Sequence, residues 1–183
     1  GRVAIALGDV SGKAAPAALY AALVSGILRS LAAQHLSPAA LLTALNDQLQ
    51  ERRLDSQYVT MLVAIWDDSN QTLQIANAGS VQPLFVSMSS SGSRTTVEVK
   101  TIQAEGFPLG LFSDVEYEEF TLSTRSGDLI VFFSDGIPDA ENAAGEMSIK
   151  LSSGSIIAQP NRIIRFGRRR WKVAAVDGRR IRN

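Results

Sequence analysis

The chain of 183 residues contains no Cys and a single His, which excludes disulfides, thiolate metal sites and a cysteine nucleophile, and leaves too little imidazole for a His-based zinc site. With 45% hydrophobic residues it can bury a sizeable core within one domain's length, which argues against a mainly disordered chain. The formal net charge of zero hides a division, because residues 1–150 hold 9 Lys/Arg against 17 Asp/Glu and residues 151–183 hold 9 Lys/Arg against Asp177 alone.

Residues 2–7 (RVAIAL) form a short apolar run ending in Gly8-Asp9 and read as a buried strand. No initiator Met or signal peptide precedes that run, so the sequence reads as a piece of something longer. Residues 12–34 are Ala- and Leu-rich and predict a helix, with Ser11 as N-cap and Pro16 in the first turn. Ser25, Arg29 and Ser30 interrupt its apolar run, so packing against a sheet is expected in preference to a membrane span. Ser37-Pro38 opens a second helix, Ser37 as cap, whose Leu41, Leu42, Leu45 and Leu49 share one face. Residues 58–66 are apolar on both faces, as in a strand covered on both sides. The turn 67–70 (DDSN) then leads into a returning strand over 71–78.

Residues 83–88 and 96–102 read as strands flanking a Ser/Gly-rich loop over 89–93. Residues 115–122 and 128–134 read as two more, joined by the turn Ser126-Gly127. One strand, two helices and then a run of strands, without strict alternation, predict α+β layering of antiparallel sheets with helices on their faces. From Leu151 onward neither periodicity is sustained: Ile156-Ile157 and Ile163-Ile164 are isolated apolar pairs. The cluster over 166–171 (FGRRRW) reads as a solvated end in preference to a nucleic-acid contact.

His35 ends a helical run with no GxSxG-type elbow to serve, so an enzyme here would rest its chemistry on carboxylates, hydroxyls, Lys and Arg. Carboxylates without imidazole or thiolate partners suit hard cations such as Mg2+ or Mn2+. Gly8-Asp9-Val10-Ser11-Gly12-Lys13 sits where a strand passes into a helix and superficially resembles a P-loop. It has three residues between its glycines instead of four, and Ala14 where Ser or Thr should follow Lys13. What remains is a carboxylate at the carboxyl end of a strand, beside glycines that admit close backbone approach. Asp9 and a neighbouring carbonyl there either hold a cation or Asp9 caps the coming helix. Phe132-Phe133-Ser134-Asp135-Gly136-Ile137 ends a second apolar run in Asp, which alone is also an ordinary turn. Two such strands could together bridge two divalent cations, which activate water and neutralise phosphoryl charge.

Gly8–Lys13 followed by Ala15-Pro16-Ala17-Ala18 resembles the GDVSGKG-xPAA pattern of the SpoIIE/RsbU-type phosphatases, a bacterial branch of the phosphatase 2C superfamily. The resemblance continues through Leu45-Asn46, Tyr58-Val59-Thr60-Met61, Asn77-Ala78-Gly79, Pro108-Leu109-Gly110-Leu111, Ser134–Ile137 and Glu141-Asn142, in family order over residues 1–149. It implies a four-layer αββα sandwich of antiparallel sheets flanked by helices. It also implies a binuclear Mn2+ or Mg2+ centre that hydrolyses phosphoserine or phosphothreonine through a metal-activated water. Carried over by position, Asp9 bridges the metals, the Val10 carbonyl is a further ligand, and Asp135 is another carboxylate. Lys13 either attracts the phosphate or is simply a solvated Lys. The implied substrate is a phosphorylated regulatory protein such as an anti-sigma-factor antagonist, and the implied control is an upstream sensory or receiver domain. The expected setting is the cytoplasm, with homodimers possible through open sheet edges and no nucleic-acid partner.

Three departures qualify the resemblance. Ala14 stands where Gly is usual, which reads as a mild change, and Ala78-Gly79-Ser80-Val81-Gln82-Pro83 lacks the family's His. The family's initial Gly-Gly-Asp-type strand and final Asp-Asp-x-Thr strand find no match. Residues 150–183 are therefore expected to be an atypical basic tail, out of frame or unrelated. A non-catalytic interaction module that keeps the fold is the alternative reading.

Overall fold

The computed structural model describes residues 1–52, 57–91, 94–135, 163–166 and 171–176. The chain divides into two units, Gly1–Ser80 with Ala104–Thr124, and Val81–Gln103 with Arg125–Asn183.

In the first unit, β1 (Arg2–Val10) pairs antiparallel with β2 (Val59–Asp67), from Arg2 opposite Asp67 to Val10 opposite Val59. β2 continues antiparallel into β3 (Thr72–Ala78), and β3 into β6 (Phe120–Ser123), giving the order β1-β2-β3-β6. Val3, Ile5 and Leu7 of β1 are half-buried between exposed neighbours, the alternation of a strand with one covered face. β2 is buried at nearly every position from Val59 to Ile65, as its two-sided apolar pattern predicts.

α1 (Ala14–Ala32) and α2 (Pro38–Arg52) complete this unit. Tyr20, Val24, Ile27 and Leu31 recur at helical spacing on α1, as do Leu41, Leu42, Leu45 and Leu49 on α2. Both stripes join one core with Val59, Met61 and Val63 of β2 and Ala76 and Ala78 of β3. By length and composition α1 could also cross a membrane, but that buried stripe is what a helix covering a core requires. α2 starts as its sequence predicts, with the Ser37 hydroxyl accepting the Ala40 N–H at 3.4 Å. α1 does not: its N-cap is Lys13, with no side-chain cap, and Ser11 serves the sheet instead.

β6 is shorter than the 115–122 stretch predicted for it. Residues 102–119 run as an irregular segment, fixed to the sheet by side chains and close backbone approach. The Asn77 amide, 1% exposed, donates to the carbonyls of Ser80 and Ala104 at 2.9 and 2.8 Å and accepts the Ser80 N–H at 2.8 Å. Leu109 exchanges two main-chain hydrogen bonds with Val59, at 3.0 and 2.8 Å. Gly106 lies so close to β3 that a Cβ there would stand 2.1 Å from the Asn77 carbonyl oxygen.

Tyr117 of this segment is buried and donates to the Phe107 carbonyl at 3.0 Å. Burial first, and Asp47 second, push its hydroxyl from the ordinary value of 10.0 up to about 12. Because the folded value is the higher one, the stability tied to its neutral form is fully present below pH 10 and is lost as pH rises toward 12. The urea midpoint should therefore drop across that window, and drop less in Tyr117→Phe. Parallel curves for the two proteins would show that this hydroxyl does not govern alkaline stability.

The second unit has the strand order β5-β4-β7-β9-β8. β4 (Leu84–Ser91) and β5 (Arg94–Thr101) pair antiparallel from Leu84 opposite Thr101 to Ser91 opposite Arg94. Residues 89–91, expected in a loop, are thus strand: a two-stranded ladder is held by backbone groups, and Ser and Thr do not interrupt it. β7 (Leu129–Phe133) lies antiparallel to β4 and parallel to β9 (Trp171–Val176), and β8 (Ile163–Phe166) is antiparallel to β9. β7–β9 is the one parallel pair among the described strands. The stretch beyond residue 150 therefore contributes two short strands, each too brief for a period to declare itself in the sequence. The class is α+β, with sheets antiparallel apart from that pair.

Candidate functional site

The carboxyl end of β1 is laced to the start of β2. Ser11 donates its N–H to the Tyr58 carbonyl at 2.9 Å, and its hydroxyl accepts the Tyr58 N–H at 2.8 Å. Val10 stands opposite Val59, and Asp9 opposite Thr60, whose hydroxyl approaches the Asp9 carbonyl oxygen at 3.4 Å. These bonds fix the backbone on both sides of Asp9 while its side chain faces solvent. The Asp9 carboxylate accepts the N–H of Val10 at 3.0 Å, so it is turned toward its own strand end and does not cap α1.

Two left-handed residues follow the laced segment. Gly12 takes φ +98°, and Ala14 takes φ +61° at the first position of α1. The second value is one that Gly adopts freely and Ala does not, and it corrects the reading of Ala14 as a mild change. A left-handed Ala costs roughly 1–2 kcal/mol, so the transition from strand to helix is held under strain. Lys13 lies between them, extended and exposed, at the N-cap of a helix whose first turn has no acidic residue. Its ammonium and the helix's first N–H groups make this end electropositive.

Asp135 belongs to the second unit. It follows β7 at a turn position, exposed, after the buried pair Phe132-Phe133. Asp9, Val10 and Lys13 thus lie together at one strand-to-helix passage, and Asp135 ends a strand of the other unit. Gly136-Ile137, Glu141-Asn142, the arginines of 168–170 and Asp177 lie outside the described residues.

The available donors at Asp9, Val10 and Asp135 are carboxylate and carbonyl oxygens, the set that hard divalent cations prefer. Among the described residues no group of three or more His, Cys, Asp or Glu side chains gathers. The donor chemistry therefore fits such a cation, with the described ligands fewer than a closed cage supplies.

Sequence reasoning gave no role to Asn46, which is fully buried within the Leu stripe of α2. It bonds the backbone at Gly110 and Phe112. A polar residue inside an apolar helical stripe was the available signal, since buried amides are almost always hydrogen-bonded.

A model of the stage II sporulation protein E (SpoIIE) family matches residues 1–163. Phosphoserine phosphatase RsbU of Bacillus subtilis (strain 168) is 28% identical over 141 residues, covering 77% of this chain and 40% of RsbU. The chain thus spans less than half the length of this relative. Among solved structures, the RsbU and RsbW domains of Rv1364c from Mycobacterium tuberculosis align with TM-score 0.64 and 23% identity, over 76% of this chain and 38% of that one. The PP2C phosphatase domain and regulatory fragment of SpoIIE from Bacillus subtilis align with TM-score 0.61 and 24% identity, over 77% of this chain and 41% of that one. These two likenesses show the fold, which is PP2C-like.

Proposed function

Because the chain belongs to the SpoIIE family, we propose that it carries the catalytic core of a metal-dependent phosphatase acting on phosphoserine or phosphothreonine of a regulatory protein. The observation that carries the reading is the solvent-facing Asp9 carboxylate beside Val10, at a strand end laced on both sides to β2. The name of the RsbU relative, a phosphoserine phosphatase, supports the substrate class.

In this reading the Asp9 carboxylate and the Val10 carbonyl would hold Mn2+ or Mg2+, and Asp135, by its match to the family pattern, would be a further carboxylate ligand. When bound, such ions supply Lewis acidity, lowering the pKa of water and offsetting phosphoryl charge. The protein's own part is positional. The Ser11–Tyr58 and Thr60–Asp9 bonds keep Asp9 and Val10 at fixed places before any ion arrives, so little ordering remains for binding to impose. Lys13 and the first turn of α1 draw the phosphate dianion to the same end of the strand. The phosphatase domain is proposed to span residues 1–149, with 150–183 an atypical basic stretch that adds β9 and β8 to the sheet beside β7. The setting proposed is cytoplasmic, under an upstream sensory or receiver domain, and open sheet edges would allow a homodimer.

The test is phosphate release from a phosphoserine peptide by the full chain, with Mn2+, with Mg2+ and with EDTA. Release that requires the ion and stops with EDTA is expected. The second reading, an interaction module that keeps the fold without chemistry, draws on the lack of a cluster of three or more potential metal-ligand side chains among the described residues. No ion binding and no release would support that module and overturn the phosphatase.

A further inference from the structure

Asn46 occupies a place in α2 where the stripe of Leu41, Leu42, Leu45 and Leu49 predicts another apolar side chain, and it is 0% exposed. Its Nδ2 donates to the Phe112 carbonyl at 3.0 Å, and its Oδ1 accepts the Gly110 N–H at 2.9 Å. An amide has a donating end and an accepting end, so this pairing fixes the turn against the helix in one orientation. Directly before that turn, Leu109 exchanges two main-chain hydrogen bonds with Val59. Val59 is the ladder partner of Val10, and Tyr58 is laced to Ser11. Three linked sets of hydrogen bonds therefore run from α2 to the Asp9-Val10 end of β1.

We infer that Asn46 is a positioning residue for the cation-holding end of β1. It fixes residues 109–112, these fix Tyr58 and Val59, and these fix Asp9 and Val10. The inference rests on the phosphatase reading above. A Leu at position 46 would preserve the apolar stripe but take away the side-chain partner of the part-buried Gly110 N–H and Phe112 carbonyl, and with it the bonds that tie the turn to α2. Functional groups must be held within about 0.5 Å of their working positions by the shell behind them, and Asn46 is the buried polar anchor of that shell on the helix side.

The experiment is calorimetric titration of the metal-free full chain with Mn2+, for the unaltered protein, Asn46→Asp, Asn46→Leu and Ile75→Val. The last alters a fully buried β3 residue outside these bonds and controls for general destabilisation, with urea midpoints measured for all four. Groups bonded directly to metal ligands are worth about 10–100-fold in affinity. Asn46 acts through two further sets of bonds, so both Asn46 variants should weaken Mn2+ binding at the lower end of that range, by about tenfold. Ile75→Val should leave it unchanged, and saturating Mn2+ should restore most of kcat toward a phosphoserine peptide in the Asn46 variants.

A measurement on the unaltered chain covers the case in which the variants do not fold. Linkage is reciprocal, so Mn2+ must slow amide exchange at Gly110 and Val59. Unchanged exchange at both, or equal Mn2+ affinity in folded Asn46 variants beside tight binding by the unaltered chain, overturns the inference alone. Absence of Mn2+ binding by the unaltered chain overturns the phosphatase reading, and this inference with it.

Discussion

Asp9→Asn is expected to lower Mn2+-dependent phosphate release at least about a hundredfold, since even the outer supports of a metal ligand are worth about 10–100-fold. The substitution is close to isosteric, and the Asn carbonyl can still accept the Val10 N–H that Asp9 accepts at 3.0 Å. Asp9 is exposed, so no core packing is disturbed and the urea midpoint should stay where it is. What changes is the formal charge facing the cation, on which affinity strongly depends. Loss of activity at an unchanged midpoint, partly recovered at higher Mn2+, would assign the carboxylate to ion binding. Asp135→Asn should behave alike in the same assay, although it ends a strand of the other unit. Full activity in Asp9→Asn would remove the observation on which the proposed function rests.

Gly106→Ala should cause the largest loss of stability from a single methyl group. The added Cβ would stand 2.1 Å from the Asn77 carbonyl oxygen and 3.1 Å from Cδ1 of Tyr117. The nearer obstacle is backbone of β3, held in its ladder, so it cannot turn aside as a side-chain tip would. Overpacking of a filled site costs typically 1–3 kcal/mol, and contact with fixed backbone puts this case at about 3 kcal/mol or beyond. For a chain of this size that corresponds to a fall in Tm of about 6–12 °C. Gly26→Ala supplies the contrast. Gly26 lies inside α1 with open space around its missing Cβ, and Ala there should raise stability by about 0.5–1 kcal/mol. A Tm for Gly106→Ala equal to that of the unaltered chain would mean that the segment does not approach Asn77 this closely.

The start of α2 and its buried face were legible because their causes are local: Ser37 caps, Pro38 follows, and the leucines recur at helical spacing. Asp9 was legible as a candidate because it ends a short apolar strand beside glycine. Elsewhere the decisive partner is distant in sequence. Ser11 has the chemistry of a helix cap, but Tyr58, 47 residues on, takes its hydroxyl and makes it part of the sheet. Residues 89–91 carry no apolar pattern, yet the opposing strand supplies a full ladder. Residues 115–119 have strand-like composition, but Tyr117 is drawn to the Phe107 carbonyl instead of a ladder. The roles of Asn46 and Asn77 depend on which backbone groups the irregular segment brings to them. No local period encodes that.

The Asn77 clamp also bears on chain architecture. A single amide nitrogen holds the carbonyls of Ser80 and Ala104, the points at which the chain leaves the first unit and re-enters it. The intervening residues 81–103 are therefore an excursion whose two ends are already brought together by a side chain of the host unit. Proteins with such closed gates accept changes in the length of the excursion without rerouting the host. Residues inserted between β4 and β5 should accordingly leave the connectivity of the module that carries Asp9 intact, whereas β4 itself is laddered to β7 and cannot be removed without opening that sheet.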